Sequence, residues 1–439
     1  MNIIKKYILA TAMLCGGFYA PLTAQVIYEE EDEKNVVIED EDGDEEQIAV
    51  PESMLQNIDS LLLQYHAKTY LKIDENCNMR DINPYFAPEV YIERLSRMPT
   101  IIEMPYNDIV QKFIDRYATK LRKSVSLMLG ASNFYMPVFE QALEAYNVPL
   151  ELRYLPIIES ALNPQAVSRV GATGVWQFML ETGRQYGLTV NTLVDERRDP
   201  VKASYAAARY LHDLYNIFGD WTLAIAAYNA GPENINKAIK RAGGVTDYWK
   251  IYPYLPKETR GYVPGFIAAN YIMTYYCEHN ICPMTTTLPV KTDTIMVNRD
   301  VHLQQVAAVL QMDLEQLKAI NPQYRYDVVN GSTQPSPIRL PQRLVNTFLE
   351  REDSIYAYQR ESLLTKRDVV DVAEAPKTTA SKKKGKKSRK ARSGRSVTIR
   401  QGDTLSEIAK RNGTTVAKLR KLNGISGNNI RAGKKIKVR

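Results

Sequence analysis

The chain has 439 residues, 44% of them hydrophobic, with a formal net charge of +7. At about 150 residues per domain that is room for roughly three folded units, and the apolar fraction excludes wholesale disorder. The mild net charge is a sum of opposed segments, 12 acidic residues against one Lys between Glu29 and Glu46 and 9 basic residues between Lys382 and Arg395, so it excludes no class of partner by itself.

Lys5 and Lys6 precede an apolar stretch from Tyr7 to Ala20, followed by Pro21-Leu22-Thr23-Ala24. A positive region, an apolar core and a small-residue cleavage site in that order make residues 1–24 an export signal, so the mature chain is expected in the periplasm or cell envelope. The run is shorter than the ~20 residues of a membrane span. Cys15 follows the bulky Leu14, a poor fit to a lipidation site, and a plain cleaved signal is the favoured reading. Cys77, Cys277 and Cys282 then remain, an odd number that cannot form a full disulfide framework. Two readings of Cys277 and Cys282 stand, a bridge between them or buried free thiols, and no metal-ligand spacing surrounds them.

Residues 25–50 carry the acidic stretch, too charged to fold alone, and are expected to be a disordered spacer. Over residues 51–285, with a core at about 106–282, apolar side chains recur every three or four positions between helix start and stop signals. Asp199-Pro200 predicts a capped helix running to Gly219, and Asp220 a second running to Gly231-Pro232. Residues 287–345 and 397–439 form a repeat at an offset of 102, with Leu303, Val306, Ala307, Leu317, Ile320 and Asn321 matched by Leu405, Ile408, Ala409, Leu419, Leu422 and Asn423. Each copy reads as strand, two short helices, strand. Between them, residues 346–396 are expected to be a basic flexible linker. The linker's lysines and arginines suit an anionic membrane or acidic wall polymer, and the export signal argues against nucleic acid.

Glu159 sits inside the apolar run Leu155-Pro156-Ile157-Ile158-Glu159-Ser160-Ala161-Leu162. Burial there raises a carboxyl pKa, which suits a general acid that keeps its proton near neutrality. From this segment alone, a buried Glu satisfied by neighbours is the stronger reading. Downstream, Gly171 to Met179 offers two glycines, Trp176, Phe178 and the Gln177 amide, and Ala226 to Gly231 places Tyr228 and Asn229 at a helix end. Asp195, Glu196 and Asp199 are candidate second carboxylates, and the adjacent Arg197, Arg198 and Pro200 favour a structural role for all three.

Four motifs in order, Glu159-Ser160, Gly174-Val175-Trp176-Gln177-Phe178, Ala227-Tyr228-Asn229-Ala230-Gly231 and Glu258-Thr259-Arg260-Gly261-Tyr262-Val263, resemble the lytic murein transglycosylases, in the membrane-bound D branch. The resemblance implies a lysozyme-like helical fold acting on peptidoglycan without cofactor or metal. It implies Glu159 as the catalytic acid/base, Tyr228 hydrogen-bonded to it, and Ser160, Gln177, Phe178, Asn229 and Tyr262 as substrate-binding residues. It also implies cleavage between N-acetylmuramic acid and N-acetylglucosamine, leaving 1,6-anhydromuramic ends.

The final 43 residues, from Val397-Thr398-Ile399-Arg400-Gln401-Gly402-Asp403-Thr404-Leu405 onward, resemble a LysM module. That resemblance implies a glycan groove at Gly402, Asp403, Thr404, Asn423 and Ile425. The earlier copy has Asp300-Val301-His302 in place of Gly402-Asp403-Thr404 and reads as a degenerate module serving packing or spacing. The expected fold class is mainly α, a lysozyme-like helical domain followed by two small β-α-α-β modules, the first degenerate. Two other functions remain open from sequence: a hydrolytic muramidase on the same glycan strands, and an inactive wall-binding scaffold.

Overall fold

The computed structural model describes residues 34–39, 45–56, 71–289, 291–365, 369–372, 396–399, 404–425 and 434–438. The export signal, Cys15, most of the basic linker, Gly402 and Asp403 lie outside them. Two units emerge, Met1–Glu374 and Ala375–Arg439.

The acidic stretch departs from the expected spacer. Strands β1 (Asn35–Glu39) and β2 (Glu45–Ala49) pair antiparallel, with Val36 opposite Ile48. Both side chains are buried in the core of the helical unit, and Glu46 pairs with Arg260 at 2.6 Å. A period-two apolar pattern survives between the charges, which composition averaged over the stretch conceals.

Behind the hairpin come β3 (Leu71–Lys72), which pairs with β4 (Thr285–Thr286), and helices α1 (Pro88–Arg97), α2 (Asp108–Ala118), α3 (Arg122–Ala145) and α4 (Leu155–Ser160). They continue as α5 (Leu180–Gln185), α6 (Pro200–Phe218), α7 (Trp221–Ala230), α8 (Pro232–Arg241), α9 (Tyr248–Ile251), α10 (Lys257–Arg260) and α11 (Tyr262–Thr274). The caps read from sequence are formed: the Asp199 carboxylate accepts from the Val201 and Lys202 N–H groups, and Asp220 accepts from Leu223 N–H. Helix α11 is apolar on every side and nearly all of its residues are buried, against α2, α4 and α7, so it forms the axis of the unit. The long α3 packs along α6.

Cys77 bonds Cys282, and Cys277 is a free, exposed thiol, so neither sequence reading of Cys277 and Cys282 holds. The bridge ties the segment before α1 to the end of the helical region.

The first repeat copy has an extra strand pair. β5 (Thr292–Val297) pairs with β8 (Ser336–Pro341), and β6 (Asp300–His302) with β7 (Val328–Asn330), around α12 (Leu303–Leu310) and α13 (Leu314–Ile320). His302 caps α12, accepting from Gln304 N–H at 3.1 Å. The expected flexible linker is helical at its start: α14 (Val345–Glu350) buries Phe348, α15 (Glu352–Ala357) buries Ile355 and Tyr356, and α16 (Arg360–Leu363) follows. Those three apolar residues, scattered among charges, anchor the segment to α12. Farther on, Thr192 N–H donates to Val370 O at 2.9 Å, and Asp371 bridges Asn191, so the chain is still fixed to the helical region there.

In the second unit β9 (Ser396–Thr398) pairs with β10 (Lys435–Lys437), and α17 (Leu405–Arg411) and α18 (Val416–Asn423) complete a core of Ile399, Leu405, Ile408, Leu419, Ile436 and Val438. Asn321 and Asn423 make equivalent bonds in the two copies, each joining the end of the second helix to the last strand through both its amide groups.

Candidate active site

Glu159 is held by a six-residue helix, α4, that stops abruptly because Ala161 and Leu162 take left-handed backbone conformations, φ 52° and 63°. Two non-glycine residues in that region cost about 1 kcal/mol or more each and persist only where packing over-determines them. Here the reason is visible: Ile157, Ile158 and Leu162 are all buried, and the side chain between them is left facing a cleft.

That cleft has a volume of about 700 Å³, with Glu159, Tyr228 and Tyr262 at its base. Asn229, Thr259, Glu258, Arg169, Val170 and Gln177 also line it. Glu159 is half-buried, and loss of water around its carboxyl pushes its pKa up from 4.5 to about 7, against the opposing effect of a hydrogen bond from Tyr262. The Tyr262 hydroxyl donates to Glu159 Oε1. Burial and the nearby Glu159 raise the Tyr262 phenol well above its ordinary range, so it is a donor at every working pH.

This corrects one expectation. Tyr228 donates its hydroxyl to Trp176 O at 2.8 Å instead of to Glu159, because Tyr262, one residue past Gly261, occupies that position. Tyr228 still lies close enough for Glu159 to contribute to the rise of its pKa, after burial.

The loop from Gly171 to Met179 is fixed by bonds to its own carbonyls. Ser160 Oγ donates to Val175 O at 2.9 Å, Tyr228 to Trp176 O, and the Arg197 guanidinium to Gly171 O and Phe178 O, both at 3.2 Å. Trp176 is fully buried and donates to Ser204 Oγ at 2.9 Å. Gly174 has φ +87° and lies so close to Arg197 O that an added Cβ would stand 1.8 Å from it, so two independent reasons demand glycine. Two expected substrate contacts are therefore structural: Ser160 is fully buried and ties α4 to the loop, and Phe178 is buried edge-on against Tyr228. Gln177 lines the cleft and donates through Nε2 to Gly174 O at 2.8 Å and to Ala166 O at 3.3 Å. Asn229 also lines the cleft and accepts from Thr259 Oγ1 at 3.1 Å.

Asp195, Glu196 and Asp199 stay outside the cleft. Burial alone would raise the Asp195 pKa, but Arg197 and Arg325, each at 2.9 Å, outweigh it and hold the carboxylate below its ordinary range. Glu196 pairs with Lys202 instead of an adjacent arginine. Arg325 belongs to the first repeat copy, so Asp195 links that copy to the loop through Arg197.

Sequence reasoning missed the wall made by Val50, Pro51, Glu52 and Leu55. It also missed the rim at Arg169 and Val170, where Val170 is 74% exposed.

In the second unit, Thr404 caps α17 through a reciprocal bond pair with Glu407. Asn423 spends its amide on Leu419 and Lys437, and Ile425 packs on the module core. These three expected groove residues therefore have structural work.

Comparison with known proteins follows the same division. The family model "Transglycosylase SLT domain" matches residues 137–250, "Lytic transglycosylase MltD, LysM-like domain" matches 291–357, and "LysM domain" matches 397–439. Membrane-bound lytic murein transglycosylase D of Escherichia coli (strain K12) is 30% identical over 339 residues, covering 76% of this chain and 70% of that protein. The chain belongs to the membrane-bound lytic murein transglycosylase D family. The soluble lytic murein transglycosylase of the same strain is 31% identical over 135 residues, 29% of this chain and 21% of its own. The solved 70 kDa soluble lytic transglycosylase of Escherichia coli aligns over 39% of this chain and 29% of that one, at 25% identity and a TM-score of 0.30. In this transglycosylase the catalytic match ends at residue 250, before the tyrosine that bonds Glu159.

Proposed function

We propose that this protein is an exported peptidoglycan lytic transglycosylase in which Glu159 acts alone as acid and then base. The observation that carries it is the Glu159 carboxyl, its proton held by burial and adjusted by one phenol, in a cleft that Glu52 and Glu258 also line. Among the described residues no second carboxylate contributes to the Glu159 pKa. A retaining hydrolase places its second carboxylate about 5 to 5.5 Å away, where like charge would act strongly. Intramolecular attack removes the need for one.

In the first step Glu159, protonated near neutrality, donates to the oxygen between N-acetylmuramic acid and N-acetylglucosamine as the C1–O bond breaks. Tyr262, donating to Oε1, then stabilises the carboxylate that results. In the second step that carboxylate takes the proton of the muramic C6 hydroxyl while its oxygen bonds C1, closing the 1,6-anhydro ring and restoring the acid. Gln177 and Asn229 offer a carbonyl oxygen and an amide to hold the sugar or its N-acetyl group.

The LysM match supports glycan attachment through the last 43 residues, and residues 1–24 support export. The direct test is Glu159→Gln in the full chain. Loss of peptidoglycan solubilisation, with sedimentation on purified walls unchanged, is the expected outcome. A variant that still solubilises walls removes Glu159 from the mechanism, and a wild-type chain that binds walls without releasing fragments is a scaffold.

A further inference from the structure

We propose that the acidic hairpin and the turn after it belong to the catalytic apparatus, with Ser53 and Glu46 as positioning residues that keep Glu159 and Tyr262 aligned. The inference rests on the reading of Glu159 and Tyr262 given above. One continuous stretch, residues 46–54, touches the backbone on both sides of that pair. On the Glu159 side, Ser53 Oγ donates to Ile158 O at 2.7 Å, a buried bond to the residue just before the acid. On the Tyr262 side, Glu46 pairs with Arg260 at 2.6 Å, and Ala49 O lies so close to Gly261 that an added Cβ would stand 2.0 Å from it. Gly261 immediately precedes Tyr262, and its φ of −80° is open to any residue, so the close approach of β2 is what requires glycine there. Pro51 and Met54 continue the contact over Gly265, one helical turn farther along α11, at 3.3 and 3.6 Å from the position of a Cβ.

The same stretch shapes the cleft. Val50, Pro51, Glu52 and Leu55 line it together with Glu159, and Glu52 reaches Arg169 at 3.6 Å. The turn thus joins the acid's helix, the tyrosine's helix and the Arg169 loop. Both this segment and Arg260 to Tyr262 lie outside residues 137–250, where the transglycosylase domain model matches.

The groups that face Glu159 set the direction of the expected effect. Tyr262 and Tyr228 stand beside it, and Glu52, Arg169 and Glu258 lie along the cleft. Burial dominates the hold on the Glu159 proton and the Tyr262 bond opposes it. Releasing the turn admits water to the carboxyl, so its titration moves down toward the ordinary carboxylate range.

The experiment uses the full chain with Ser53→Ala, Ser53→Thr and Glu46→Gln. Glu159 is titrated directly by carbon NMR of labelled glutamate carboxyls, its signal assigned by its absence in Glu159→Gln, and kcat and KM are measured on purified peptidoglycan. Loss of one buried hydrogen bond at this place is expected to lower kcat about three- to tenfold with KM within about twofold, and to lower the Glu159 midpoint by about half a pH unit or more. Ser53→Thr keeps the hydroxyl and is expected to retain both values. Glu46→Gln, on the rim of the hairpin, is expected to move them in the same direction and decides the question if Ser53→Ala fails to fold. An unmoved midpoint with wild-type kcat in the folded variants overturns the clamp. A midpoint that moves in a chain unable to cut peptidoglycan supports the clamp and overturns the proposed function.

Discussion

Replacing Glu159 by Gln is expected to abolish the proposed reaction, and the structure predicts that it also makes the protein more stable above neutral pH. A carboxyl that releases its proton near 4.5 in the unfolded chain but near 7 in the folded one favours unfolding as the pH rises between those values. The sign follows from proton count: over that window the unfolded chain has already lost the proton that the folded chain retains. Above pH 7 the accumulated penalty is about 3 kcal/mol, an upper figure because the carboxyl still meets cleft water. Gln fills the same volume, accepts the Tyr262 hydroxyl and does not titrate, so the variant escapes the penalty. For a domain of this size about 3 kcal/mol corresponds to roughly 5 °C or slightly more in Tm. Thermal unfolding of both proteins from pH 4 to 8, read on the transition of the helical unit, is the assay. All other titrating groups are shared and cancel in the difference. The variant is expected to lead at pH 8 and to converge on the wild type near pH 4.5. A gap independent of pH, or a variant less stable at pH 8, refutes the reading of Glu159 as a desolvated acid.

Tyr262→Phe removes the one interaction that lowers the Glu159 pKa, so the alkaline limb of the rate profile, where the acid loses its proton, moves upward, opposite to the shift expected on loosening the clamp, and an unmoved limb in kcat against pH contradicts the assigned bond. Gly174→Ala forces a Cβ against Arg197 O at a positive φ and is expected to cost about 3 kcal/mol or more with loss of turnover; equilibrium denaturation at wild-type midpoint counts against the described loop. Cys77→Ser opens a bridge spanning 205 residues, worth about 5 kcal/mol in chain-entropy terms, so the variant and the reduced wild type are both expected to melt well below the oxidised protein, and identical melting curves with and without reductant are the contrary result.

Much of this architecture is legible in the sequence because it follows local rules. Asp199, Gly219 and Asp220 mark helix ends through cap chemistry that needs no tertiary information, and Glu159 stands out because a carboxylate in an apolar run needs a partner or a function. What the sequence conceals is long-range. Nothing local distinguishes Tyr262 from Tyr228 as the donor to Glu159, because the choice depends on how α7 and α11 converge on α4. Ser160 and Phe178 occupy motif positions, yet three-dimensional packing turns them inward. The acidic hairpin and the helices after residue 345 escape composition for a common reason: a few apolar residues, Val36 and Ile48 in one case and Phe348, Ile355 and Tyr356 in the other, order a charged segment only when a neighbouring surface is there to receive them. The Cys77 to Cys282 bridge joins residues far apart in the chain and is invisible to spacing.

The central claim is that one carboxyl at the base of the cleft, Glu159, cuts glycan strands by internal attack. Mass analysis of the fragments released from purified peptidoglycan by the wild-type chain, with Glu159→Gln alongside, tests it most directly. The account predicts fragments ending in 1,6-anhydromuramic acid, one water lighter than reducing ends, and none from the variant. Fragments with reducing muramic ends, or anhydro ends that persist in the variant, would contradict it.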